Sequence, residues 1–199
     1  KHHWRDVLRV VACAFIAAVS TVFGTLAIAY AKNVAGVDGT TTLWLVVGAN
    51  FLALGTQPLF GMLADRIGRK PVFIYGAVAS AVLTPVFLLS LESGSVPLMF
   101  LAAIGFFSFG YAAANSVWPA FYAEMFSTKV RFSGLAIGTQ LGFLMAGFAP
   151  AIVAAMGGTK PGGWVQISIF TAVICLISAV SALTAKESFK IPTKQLGVK

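Results

Sequence analysis

Six stretches of this chain carry no charged residue, and each is long enough to cross a lipid bilayer. They run Val10–Ala31, Thr40–Ala64, Pro71–Leu91, Ser93–Ala123, Phe132–Thr159 and Pro161–Ala185. A helix needs about 20 residues to span hydrocarbon, because each residue rises only about 1.5 Å. None of the runs alternates in the way of a barrel strand. The reading is an all-α membrane protein with six transmembrane helices over residues 10–185. Composition agrees: 58% of the residues are hydrophobic and only 10% charged. A water-facing domain carries about 25% charged residues, so lipid has to cover this surface.

The basic residues set an orientation. Lys1, Arg5 and Arg9 precede the first run. Arg66, Arg69 and Lys70 lie between the second and third, and Lys129 and Arg131 between the fourth and fifth. Lys186, Lys190, Lys194 and Lys199 follow the sixth. With six spans all of these fall on one side, and only Lys32 and Lys160 fall on the other. The positive-inside rule then places both termini in the cytoplasm. Residues 1–9 read as a cytoplasmic loop and residues 186–199 as a basic cytoplasmic tail. The net charge of +8 is a topology signal, with no basic stripe that would bind nucleic acid.

Chemistry is scarce inside the spans. His2 and His3 lie in a terminal segment, so an intramembrane hydrolase has no base at depth. Cys13 and Cys175 fit no metal or redox spacing. No metal and no cofactor are expected. No acid or cation lies deep in a span, where it would cost at least ~2.5–3.5 kcal/mol. A group that couples transport to protons, or a cation that binds an anion, would have to lie outside this chain.

The loop after the second run reads Gly61-Met-Leu-Ala-Asp65-Arg66-Ile-Gly68-Arg69-Lys70-Pro71. It resembles the signature loop of the major facilitator superfamily, in the place that loop occupies, between a second and a third span. Gly61 would let two helices touch, and Gly68 would permit a tight turn. Asp65 is an acid in a basic loop, suited to Arg or to the N–H groups of a helix start. A second stretch, Tyr122–Gly134, carries Glu124-Met-Phe and Arg131-Phe-Ser-Gly134. It is similar to the metabolite:proton symporter family within that superfamily. Gly138, Gln140 and Pro150 resemble that family's eleventh helix.

The resemblance implies one half of a major-facilitator fold, namely spans seven to twelve. The first span here lacks the acids of the family's own first span. It implies a missing N-terminal six-helix half, protons as coupling ion, and a small organic acid or osmolyte as substrate. Members carry shikimate, oxoglutarate, proline or betaine. It also implies a bacterial inner membrane. A uniporter, a drug exporter, or a non-transporting receptor or scaffold on this fold remain the alternatives. On this reading Gly61, Asp65, Arg66, Gly68, Arg69, Lys70, Glu124 and Arg131 form a conformational latch. Asp65 would dock on Arg131 and on a start of span five capped by Ser127 or Thr128, while Glu124 would pair with Arg66 or Arg69.

Polar residues within the spans are the candidates for a substrate cavity. Asn50 and Gln57 are seven apart on one helix face. Asn115, Trp118 and Tyr122 also share a face, and Gln140 lies in the fifth span. Amides and aromatic hydroxyls can also tie helices together. Gly134, Gly138 and Gly142 recur at spacing four, a ridge for close helix packing.

Overall fold

The computed structural model describes residues 4–186. Six helices are long and apolar enough to cross a membrane. They are α1 (Trp4–Asn33), α2 (Gly39–Ile67), α3 (Arg69–Glu92), α4 (Val96–Glu124), α5 (Arg131–Ala155) and α6 (Trp164–Thr184). Among the described residues there is no strand. The fold is all-helical, with the six membrane-length helices expected of half a major-facilitator bundle.

Side-chain ties fix which helix ends meet. Lys70 at the start of α3 donates to the carbonyls of Leu183 and Ala185 at the end of α6, at 2.9 and 2.8 Å. Arg69 pairs with Glu124 at the end of α4. Arg9 in α1 reaches Thr184 near the end of α6 at 3.3 Å. Odd-numbered helices therefore start, and even-numbered helices end, at one face, which carries Arg5, Arg9, Arg66, Arg69, Lys70, Lys129 and Arg131. Lys32 and Lys160 sit at the opposite face.

The helix bounds differ from the charge-free runs where charges find partners. The loop expected over residues 1–9 is corrected, since Trp4–Arg9 form the first turns of α1. The helix continues because Asp6 is buried but paired with Arg9 at 2.8 Å. Residues 1–3 and 187–199, including most of the expected basic tail, lie outside the described residues. At the start of α2, Asp38 caps the helix and accepts from the N–H groups of Thr40 and Thr41 at 3.0 and 3.3 Å. The turn from α2 to α3 is a single residue, Gly68, at φ +101°, a conformation that side chains rarely adopt.

The outside of the bundle is apolar. Phe51, Leu54, Leu101 and Phe132 are exposed, as suits a surface solvated by lipid. Inside, small residues let the backbones approach. A Cβ on Gly138 would meet Val10 Cγ1 at 2.7 Å, and one on Gly142 would meet Val11 O at 2.8 Å, so α5 lies against α1. Gly134 instead faces the Phe126 ring in the α4–α5 loop. Gly76 of α3 lies against the backbone of Ala114 in α4. Nothing lies within 4 Å of a Cβ on Gly61, so the helix contact expected there does not form within this bundle.

Hydroxyl groups stitch the helices through backbone carbonyls. Ser178 donates to Ala12 O and Ser181 to Arg9 O, each at 3.1 Å, which joins α6 to the basic-face half of α1. Thr56 donates to Ser108 O at 2.6 Å, and Ser108 donates back to Ala49 O at 2.7 Å, which joins α2 to α4. Ser108 lies in the wide π-helical segment Ile104–Tyr111 of α4. A second wide segment, Val22–Leu26, interrupts α1. The two meet at Phe23 and Phe107, whose rings stack at 4.4 Å. Such turns leave backbone groups off the regular ladder, and neighbouring hydroxyls and rings compensate.

Candidate functional site

A cleft of about 230 Å³ opens between α1, α4 and α5. Asn115, Trp118 and Tyr122 line it from α4, one turn apart, with Tyr111 one turn earlier on the same face. Ile16, Ala17 and Ser20 line it from α1, beside the short tight turn Phe15–Ala17. Phe143 closes it from α5.

The cleft is built on crossed aromatic rings. Trp118 lies 5.6 Å from Tyr122 at an interplanar angle of 45°, and 5.5 Å from Phe143 at 86°. Tyr122 is almost fully buried, and its hydroxyl has no hydrogen-bond partner among the described residues. Ser20 spends its hydroxyl on Ala17 O at 2.7 Å. No lining residue is Asp, Glu, Lys, Arg or His.

The other cavity candidates are not brought into this cleft. Asn50 is exposed, and its amide donates to its own helix at Val46 O, 2.8 Å away. Gln140 is exposed on α5, and Gln57 is half-buried on α2. Sequence reasoning missed Tyr111, Ser20 and Phe143. The spacing of four back from Asn115 was a signal for Tyr111. Ser20 is a polar residue in an apolar run and was legible on that ground. Phe143 and Ile16 carried no signal, because only the tertiary fold sets them beside α4.

At the basic face the charged residues form a different network from the one expected. The Glu124–Arg69 pairing forms, and Glu124 is only 14% exposed there. Asp65 does not dock on Arg131, and this expectation is corrected. Its carboxylate is largely exposed and lies 4.0 Å from Arg69, one turn along, because the Gly68 turn carries Arg69 back over the end of α2. Arg131 donates instead to Phe126 O at 3.4 Å, and its buried Nη2 has no hydrogen-bond partner among the described residues. The start of α5 is not capped by Ser127 or Thr128: Val130 occupies the cap position, and no side chain bonds there. Arg66 is exposed.

A smaller contact closes the opposite face. The Tyr30 hydroxyl of α1 donates to the Glu92 carboxylate of α3. The backbone N–H groups of Gly162 and Trp164 also approach that hydroxyl. Among the described residues no cluster of His, Cys, Asp and Glu could hold a metal ion.

The sequence profile of the Major Facilitator Superfamily matches residues 10–197. The chain belongs to that superfamily. It is similar to the shikimate transporter of Escherichia coli K12, with 33% identity over 145 residues, 72% of this chain and 33% of the relative. It is 24% identical over 196 residues to the glycine betaine/proline/ectoine/pipecolic acid transporter of Dickeya dadantii, covering 97% of this chain and 38% of the relative. Its identity to the proline/betaine transporter of Escherichia coli K12 is 29% over 142 residues, 71% of this chain and 28% of the relative. The chain spans about a third of the length of these curated relatives. No solved structure matches it.

Proposed function

We propose that this chain forms the C-terminal six-helix half of a proton-coupled symporter for a small organic acid or osmolyte. The observation that carries the reading is the cleft at Asn115, Trp118 and Tyr122. It runs from the middle of α1 and α5 to the last turn of α4, where Tyr122 lies, and combines aromatic rings with a few polar groups, the usual make-up of a small-molecule wall. At 230 Å³ it is smaller than a whole binding pocket, which suits one of two facing walls. The other wall would come from an N-terminal six-helix half. Rocking of one half against the other would then expose the cleft to each side in turn.

On this reading the basic face is cytoplasmic, in a bacterial inner membrane, and both ends of the segment lie there. Arg69, Glu124 and Asp65, with Lys70 holding the end of α6, would set the balance between inward- and outward-open states. Gly134, Gly138 and Gly142 would keep α5 close to its neighbours. A facilitated-diffusion reading has one observation in its favour: the cleft carries no carboxylate that could bind the coupling proton.

Uptake by the full-length protein in proteoliposomes separates the two. An imposed acid-outside gradient should drive concentrative uptake of labelled betaine, proline or shikimate, at rates at least about tenfold above a gradient-free control. Downhill flux that ignores the gradient would replace symport with uniport. Ligand binding without flux would favour a receptor.

A further inference from the structure

We propose that the last turns of α1, Ala27–Asn33, form a hinged flap over the cleft, with the wide turn Val22–Leu26 as its hinge and the Tyr30–Glu92 contact as its clasp. This rests on reading the cleft as one wall of a path across the membrane.

The order of parts along α1 carries the argument. Ile16, Ala17 and Ser20 line the cleft and lie before the wide turn, while Tyr30 lies after it. The cleft side of α1 and its outer end are therefore joined through backbone that is off the regular hydrogen-bond ladder, and such turns are sites of bending. Gly24 sits within that turn. A Cβ there would meet nothing within 4 Å, so packing does not call for a glycine. What it contributes is a freer backbone.

Rings close the space between the cleft and the outer end. Phe23 of α1 meets Phe87 of α3, and Phe106 and Phe107 of α4, at 5.3, 5.7 and 4.4 Å. Phe107 lies one turn outward of Tyr111, which lines the cleft. The ring cluster thus stands between the cleft and the face that carries Lys32 and Lys160.

Beyond the hinge the chain is wound into one unit. The N–H groups of Val34 and Ala35 donate to Tyr30 O at 2.9 and 3.2 Å, and that of Val37 to Ala31 O at 2.9 Å. The side-chain tie from this unit to its neighbours is the Tyr30 hydroxyl on Glu92, beside the start of α6. Tyr30 is buried, but Glu92 is exposed, so water competes for its carboxylate. No Lys or Arg pairs with Glu92 among the described residues. One hydrogen bond to a charged group biases a closed–open equilibrium by about tenfold, and it still releases.

Maleimide labelling of Ser20→Cys in the full-length protein tests this, in vesicles that present the Lys32–Lys160 face to an impermeant reagent. Tyr30→Phe removes only the hydroxyl and should raise the labelling rate roughly tenfold. Glu92→Ala should raise it as much, and the double variant no further, because each breaks the same contact. Adding Gly24→Ala to Tyr30→Phe should take back part of the gain by stiffening the hinge. Asp38→Asn removes a charge from the same face but keeps the oxygen that caps α2, and should label like the parent. If Tyr30→Phe does not fold, Glu92→Ala against Asp38→Asn decides the matter. Parent-like labelling in Tyr30→Phe or in Glu92→Ala would overturn the clasp, as would an equal gain in Asp38→Asn. A full gain with Gly24→Ala present would overturn the hinge. Labelling of residue 20 from the basic face alone, unchanged by every variant, would overturn the flap yet leave the substrate wall standing. No labelling from either face would remove both.

Discussion

Gly76→Ala is expected to lower the thermal stability of the full-length protein in detergent by several degrees, and Gly76→Leu to prevent its recovery as a monodisperse species. A methyl group at residue 76 would fall against the backbone nitrogen of Ala114 and 2.8 Å from its Cβ. Neither atom can rotate away, so α3 and α4 would have to separate. Overpacking of this kind costs about 1–3 kcal/mol, and sometimes more. The separation also disturbs the same interface at Gly110, where a Cβ would lie 3.4 Å from the Ser80 backbone nitrogen. The better helix propensity of alanine, about 1 kcal/mol, only partly offsets this. Gly55→Ala is the control, because nothing lies within 4 Å of a Cβ there. It should melt at or slightly above the parent temperature. Equal melting of the Gly76→Ala and Gly55→Ala proteins would contradict the close α3–α4 crossing.

The second large effect concerns the basic face. Arg69→Glu should destabilise the protein and shift its conformational balance, because it places three carboxylates, at residues 65, 69 and 124, side by side. Loss of the Arg69–Glu124 pair alone is expected to cost about 1–3 kcal/mol, between the limits for exposed and fully buried pairs. Repulsion adds to that. Adding Glu124→Arg restores opposite charges and should recover much of the loss, both in melting temperature and in transport rate. Asp65→Asn should do far less. Its carboxylate is exposed and 4.0 Å from Arg69, and such pairs contribute under about 1 kcal/mol. The ranking Arg69→Glu well below Asp65→Asn, with rescue by the swap, is the result to look for. No rescue, or a larger effect at Asp65, would mean that Asp65 makes its main contact in another state.

The six helices were legible because lipid leaves so few choices: a run without charge and long enough to span must be a helix. Their ends were less legible. In sequence Trp4–Arg9 look like loop because Arg5, Asp6 and Arg9 are charged, and the Asp6–Arg9 pair that permits helix there is a three-dimensional fact. The face of α4 carrying Asn115, Trp118 and Tyr122 follows from helical spacing, and the structure places all three on one cleft. Asn50 and Gln57 shared a face by the same logic but do not reach that cleft, because spacing shows which residues share a side and not what the side meets. The Glu124–Arg69 pair could be named from the sequence as one of two options. Asp65 could not be placed, since the Gly68 turn decides which neighbour it approaches. Lys70 on the end of α6, and Tyr30 on Glu92, join residues more than 60 positions apart and left no trace in the sequence.

If the Asn115–Trp118–Tyr122 cleft is a substrate wall, water reaches it, and site-directed labelling of Asn115→Cys in the full-length protein reads that out. The native Cys13 and Cys175 are buried and should stay silent. A membrane-impermeant maleimide should label residue 115, and betaine, proline or shikimate should slow that labelling several-fold. Leu101→Cys, on the exposed outer surface of the same helix, should react poorly in the bilayer and show no protection. Labelling at residue 115 no faster than at residue 101, with no protection by any of the three solutes, would contradict the account.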